Sequence, residues 1–563
     1  MIVESRYQGR SAVVSGLRET RALFATNQLR DPAFLRAEVT RPLPLREALG
    51  ALHQVVISDY KYHPRDRVAF RAWLAAQDRQ FLASLRIKSE AARQKIADLE
   101  AELSALDQRR ADRLRPFYRA RAQYFDWVFT HQYELNYLLD PVVTVHPDEV
   151  SFEAFSKDES SYARLGVRHD SFGKVDAFAC GTTNIDYSAG LARAFDRMRS
   201  YRATRFEVDA AGLTVNTDAV EGHREKKIDL PDSWVKGFLQ VQATMTLGLK
   251  RVRLEAVDLY NLCRFLKRHR AKVSPRAMRF ELTPGRPTRV VFEPWDVAFT
   301  LSPGSAYDGP EAVTVRTWGR DRLLTLGRLI AQIEHVDLYL AGDGLPTVYV
   351  AQLGGMTFTL ALSGWTDNDW TTSGTRFDLL SRRLPTDAES LTLVHQSLSE
   401  TRRDTDAALA LRTGLGVEKV RSTLSYLCQT GRVMFDLGAG VYRLRELFAT
   451  PFTPREAVQT ARGVGGALDP VEKAGQKIFA SGGVLLTARR PVADGFKLSG
   501  SVKGTDGARV RPVLHIGIDG RVIDASCSCA AFTKHGLTKG PCEHMLALRL
   551  AHIARLEEED TGG

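Results

Sequence analysis

The sequence predicts an α+β multidomain protein: a helical N-terminal region, a central mixed α/β region, a small domain of three helices and a hairpin, and a C-terminal metal-binding domain. Three observations carry that expectation. Apolar periodicity alternates between helical and strand spacing along the chain. At 563 residues, the chain exceeds what one core organises. Three of its six cysteines crowd into residues 527–542.

Composition is that of a globular chain, 44% hydrophobic, 26% charged and 9% aromatic, which argues against extensive disorder. No apolar run reaches the ~20 residues of a membrane span, and the N-terminus carries no signal-peptide core. Cys180, Cys263 and Cys428 lie far apart, so the cysteines form no disulfide framework and imply a reducing, cytoplasmic setting. The net charge of +11 favours polyanionic partners, provided that the charge clusters.

Residues 1–144 are expected to be mostly helical. In 78–113, Ile96, Leu99, Leu103 and Leu106 repeat at threes and fours among Glu, Lys, Arg and Gln. Leu85, Ala92, Leu99 and Leu106 fall at sevens. So short a seam favours a helical hairpin within the chain over a dimeric coil. Pro116 is expected to interrupt it, with residues 115–139 forming a second helix.

Residues 145–385 mix signals. Strands are expected in 204–217, 286–302 and 336–365, and helices in 251–270 and 321–333.

Residues 386–450 give three amphipathic helices, AESLTLVHQSL, TDAALALRTGL and VEKVRSTLSYLCQTG, then a hairpin across Gly438-Ala-Gly440. That order resembles a winged helix-turn-helix. Its third helix holds Val417, Val420, Leu424 and Leu427 on one face, leaving Lys419 and Arg421 off it. Arg432, Arg443 and Arg445 flank the wing. These five residues suit a helix in the major groove with a wing on the phosphates.

In residues 451–563, Thr453-Pro-Arg-Glu456 and Asp469-Pro-Val-Glu472 each read as a helix start, a capping residue followed by Pro and Glu. Strands 484–488, 496–504, 511–518 and 521–525 follow, the last two joined by an Asp519–Gly520 turn. The final strand runs into Cys527-Ser-Cys529, and after twelve intervening residues comes Cys542-Glu-His544. Alternate residues leaving a strand project the same way, so both sulfurs of Cys-x-Cys reach one ion. Cys527, Cys529, Cys542 and His544 then complete a tetrahedral Zn²⁺ shell, a structural site with no position open for substrate. His535 competes as a ligand but fits less well than the Cys542-x-His544 pair.

Strand, CxC, loop and CxH opening a helix resemble the SWIM zinc finger. FSKDESSYARLGVRHD (155–170), CGTTNIDYS (180–188), LPDSWVKGFLQVQATMTL (230–247), WGRDRLLTLGRL (318–329) and GDGLPTVYVAQLGGMTFTLALSGWTDNDW (342–370) extend the likeness to bacterial SWIM zinc-finger family proteins. The resemblance implies DNA or protein binding, an N-terminal region of unassigned activity, and partners such as a MoxR-type AAA+ ATPase and a von Willebrand factor A protein.

No Walker A, HExxH, GxSxG or complete GxGxxG occurs. Cys180, near His169–Asp170 in sequence, reads as a small core residue rather than a nucleophile. From 401 onward there are 23 Lys+Arg against 17 Asp+Glu, four of those acids in the tail Glu557–Asp560. The expectation is therefore a non-enzymatic nucleic-acid binder, with Lys534 and Lys539 of the zinc loop adding backbone contacts. The alternative is an adaptor for the ATPase and von Willebrand A partners, with Trp318, Trp365 and Trp370 as candidate anchors.

Overall fold

Strands buried at every position are covered on both faces, and any polar side chains among them need partners there. Val142–Val145 and Glu149–Phe155 are buried at every position, and they lie in an eight-stranded antiparallel sheet. Its order is Lys250–Glu255, His335–Leu340, Thr347–Gln352, Met356–Leu362, Ser161–Arg168, Glu149–Phe155, Val142–Val145, Gly181–Asn184. The computed structural model describes residues 4–5, 12–15, 19–25, 34–60, 90–131, 141–184, 195, 198–201, 203–209, 227–228, 232–271, 275–365, 368–371, 377–381, 386–447, 470–492, 495–504, 507–518 and 520–561.

Helix Pro42–Ile57 packs on strands 149–155 and 161–168. Helix Asp232–Met245 sets Trp234 and Phe238 against Phe155, with ring centroids 5.1 and 4.9 Å apart. Gly237 permits this approach, since a Cβ there would lie 2.9 Å from the Phe155 ring. A second sheet orders Ala12–Ser15, Glu19–Ala25, Ala203–Asp209, Phe34–Val39 and Phe172–Ala179. A third orders Val297–Thr300, Arg289–Phe292, Met278–Leu282 and Val313–Thr317.

The chain divides into two compact units, residues 60–138 and the remainder. Within the smaller, Glu90–His131 is one helix that continues through Pro116, where the sequence predicted a break. The loss is one backbone donor and local strain, which this length of helix absorbs. Ile96, Leu99, Leu103 and Leu106 are 40–62% exposed along it.

Other expectations also shift. Residues 4–39 hold strands rather than helix. Arg251 and Arg253 pair across to Asp337 and extend the chain, so the helix expected from 251 starts at Ala256, where the Asp258 carboxylate accepts from the Glu255 N–H at 3.0 Å. Residues 320–332 form 3₁₀ turns instead of an α-helix. Gly319 enters them at φ +75°, and the Arg320 side chain donates at 3.1 Å to the Ala277 carbonyl. The second strand expected in 204–217 and the helix start at 453–456 lie outside the described residues.

Residues 386–447 fold as helix Ala388–Thr401, strand Arg403–Asp404, helices Asp406–Thr413 and Val417–Gln429, and a hairpin of Val433–Asp436 with Val441–Leu444. The three strands form one antiparallel sheet. Asp387 and Thr405 cap the first two helices by accepting from Ser390 N and Ala408 N. Leu391, Val394, Leu398, Leu409, Val420, Leu424 and Leu427 make a core of their own.

Candidate metal centre and nucleic-acid interface

The C-terminal module is a twisted antiparallel sheet, ordered Val484–Val492, Gly495–Lys503, Val513–Gly517, Val522–Ser526, with Arg509–Val510 paired on Gly495–Lys503. Helices Pro470–Ala480 and Glu543–Thr561 pack together, and the second also packs on the sheet. Two glycines allow this closeness. A Cβ on Gly475 would meet the Glu543 carbonyl and Leu546 Cβ at 3.0 Å, and one on Gly500 would meet Leu548 Cδ1 at 2.4 Å.

Strand Val522–Ser526 ends one residue before Cys527. Cys527 and Cys529 are buried on either side of exposed Ser528, whose hydroxyl accepts from Arg511 N at 3.0 Å. Cys529 caps helix Ala530–His535, its sulfur accepting from Phe532 N at 3.4 Å. Cys542 precedes helix Glu543–Thr561, and its carbonyl accepts from Leu546 N. Both sulfurs thus stand at the positive end of a helix, where thiolate is favoured.

One ligand atom from each of Cys527, Cys529, Cys542 and His544 lies within 4.8 Å of all the others, and each residue is at least 91% buried. Tetrahedral donors about 2.3 Å from a zinc ion sit roughly 3.8 Å apart, so small adjustments close the shell. Without metal, the thiols of Cys529 and Cys542 resist ionisation. The bond from Cys527, with burial, pushes the Cys542 thiol far up, and burial raises Cys529. Three sulfurs this close need a divalent cation to exist as thiolates, which is the chemistry Zn²⁺ supplies. His535 lies outside the cluster.

The arrangement brings together four protein ligand atoms, the number that a tetrahedral Zn²⁺ shell takes. Residues 513–552 match the SWIM zinc finger family, and the module is a SWIM zinc finger with its Cys/His cluster placed to bind a zinc ion. Comparison with curated proteins found no match. Among solved structures, the proliferating cellular nuclear antigen of Entamoeba histolytica shares 10% identity at a TM-score of 0.28, covering 41% of this chain and 91% of that one. A structure titled as the C-terminal region of FEN-1 bound to A. fulgidus PCNA gives 12%, 0.27, 41% and 91%. Such scores support no functional argument.

The residues expected to grip nucleic acid fare unequally. Arg443 and Arg445 are 2% and 0% exposed. Arg443 pairs with Asp148, Glu149 and Asp436, and Arg445 donates to Glu153 Oε1 at 2.8 Å beneath the Phe238 ring. Arg432 is buried against Glu446. Placing these three on phosphates is therefore corrected: carboxylates of the central sheet and of the module itself already hold them. Lys419 and Arg421 remain half-exposed, the first paired with Asp387 at 2.7 Å, the second with Asp406 and Glu418. Lys534 is exposed and Lys539 partly so.

The sequence reading passed over the sheet's outer face. Arg490, Lys497, Lys503 and Arg509 are exposed there and, among the described residues, make no ion pair. The alternation Lys497-x-Ser499-x-Ser501-x-Lys503 was the available signal. Elsewhere, Trp370 is fully buried, while Trp365 stays 37% exposed with Trp318 4.8 Å away. Burial pushes the Cys180 thiol up, away from a nucleophile's range. Among the described residues no helix is long and apolar enough to cross a membrane.

Proposed function

We propose that this chain is a cytoplasmic, non-enzymatic nucleic-acid-binding protein, stabilised by zinc and contacting DNA through its C-terminal module. The carrying observation is that Arg490, Lys497, Lys503 and Arg509 are exposed and, among the described residues, make no ion pair, in the same module that gathers four metal-ligand atoms. A closed shell supports a scaffolding role rather than catalysis, and unpaired cations keep their charge for phosphates.

In this reading residues 386–447 are a winged-helix domain whose wing arginines serve internal assembly. Lys419 and Arg421 contribute at most secondary contacts. Titration of the zinc-loaded protein on random duplex at 50 and 200 mM salt tests it. Affinity should fall steeply with salt, and absent or salt-insensitive binding would end it.

One observation favours the second reading, an adaptor for a MoxR-type AAA+ ATPase and a von Willebrand factor A protein. The winged-helix candidate turns its wing inward, and many such domains serve assembly. Nuclease-resistant recovery of either partner, without duplex binding, would select it.

A further inference from the structure

We infer that the outer face of the C-terminal sheet, with the groove at its edge, is a seat for the phosphate backbone of double-stranded nucleic acid. The inference rests on the nucleic-acid reading above and gives it a surface. Directly opposed residues of an antiparallel pair share a face. Leu498, Gly500 and Val502 face the core, so Lys497, Ser499, Ser501 and Lys503 face outward. Register adds Arg490 and His515 beside Lys497, and Arg509 beside Lys503. Among the described residues, Asp524, opposite His515, is the carboxylate in these rows.

At the sheet's edge the face opens into a groove of about 660 Å³ lined by Lys477, Ser481, Leu485, Lys503 and Arg509, with no carboxylate among the described residues that line it. Helix Pro470–Ala480 ends there, and a bare C-terminus would repel anions. Its last carbonyls are already occupied: Lys477 O, Ile478 O and Phe479 O accept from Ser481 N, Gly483 N and Gly482 N. The Ser481 hydroxyl also donates to Ile478 O, at 2.8 Å, so the groove presents ammonium and guanidinium donors. Arg509 Nη1 donates to Ser501 Oγ at 3.5 Å.

The geometry selects a duplex. From Lys497 to Lys503 the strand runs about 20 Å, the axial rise of about six base pairs. Single-strand platforms stack bases on exposed aromatics. Here Phe496, the aromatic of this strand, lies instead on the helix side against His552 and Arg489.

The test uses the full zinc-loaded chain and random-sequence DNA, duplex and single-stranded, at 50 and 200 mM salt. Changing Lys497, Lys503 and Arg509 together to Ala should weaken duplex binding at least tenfold at the lower salt. It should also reduce the salt slope by about three, since each lost phosphate contact removes about one. Arg490→Ala, at the far end of the row, should give a smaller loss. Zinc content and melting temperature must match the parent, which separates lost contacts from lost fold. If the parent binds and the triple variant binds equally, this surface is wrong while the nucleic-acid reading stands. If the parent binds no duplex, both fall. Tighter binding to the single strand would overturn the choice of duplex.

Discussion

At the scale of residues, the zinc ligands and the buried arginines show opposite uses of charge. Three thiols within 4.8 Å are stable as ligands only with the cation present. Cys542→Ala should therefore abolish the one zinc per chain measured by elemental analysis. With structural zinc worth on the order of ten kcal/mol, limited proteolysis should then cut within 513–552. A metal-free variant that resists cleavage there would refute this. Arg445 shows the buried case, a guanidinium with no exposure whose partner Glu153 also accepts from Tyr162 Oη at 2.7 Å. Arg445→Ala should cost about 3–5 kcal/mol in urea denaturation, because it strands a buried carboxylate. Glu153→Gln combined with Arg445→Met should recover much of that, since Gln still accepts from Tyr162. No recovery would mean that the arginine acts through shape rather than charge. The ligands were legible in sequence because spacing and residue type together specify a zinc shell. The fate of Arg443 and Arg445 was not: a helix-and-hairpin pattern does not show which face a distant sheet covers.

At the scale of elements, the helix-and-hairpin module was legible from its local signals, the caps Asp387 and Thr405 and the glycine stops. Strands Glu19–Ala25 and Phe34–Val39 were not, because their partners Ala203–Asp209 and Phe172–Ala179 lie more than a hundred residues away. Ionic contacts clip the module to the central sheet. Burial opposes ionisation of Asp148, yet the Arg443 guanidinium bonded to it outweighs that and holds its carboxyl below the usual range. Asp436 is likewise held down by Arg164 and Arg443 against burial. A depressed folded pKa means stability that is present above the unfolded value, near 3.9, and lost as pH falls through the folded one. Burial raises Glu149 instead, so its contribution is present below its unfolded value and is lost as pH rises through the folded one. The two aspartates should dominate in acid. Lowering the pH from 5 to 3 should therefore destabilise the parent more than an Asp148→Asn variant, read as the shift in urea midpoint. Equal shifts would show that the clip carries no linkage.

At the scale of the whole molecule, the two C-terminal modules are built into the protein differently. Residues 386–447 keep a separate apolar core. Cys527, Cys529, Cys542, Met545, Ala547 and Leu548 instead belong to the same continuous buried cluster as Phe152, Leu165 and Leu360 of the eight-stranded sheet. Polar bonds reinforce that union. Asn368 Nδ2 donates to Thr538 O at 2.7 Å, inside the zinc loop, and Arg521 donates to Thr246 O. Arg549 lies buried between Leu379 O and Gly520 O. Zinc thus holds one wall of a shared core, and its removal should reach beyond the ligands. On chelation, hydrogen exchange should speed up in 513–552 and, to a lesser degree, in 368–371 and 377–381, whose partners move with the finger. Exchange in the helices of 386–447 should stay near its metal-loaded rate, because the cluster beneath them is distinct from the one that holds the zinc ligands. Confinement of the change to 527–544 would show a finger that is merely attached. Loss of protection throughout 386–447 as well would show a single cooperative unit and contradict the separation of the two cores.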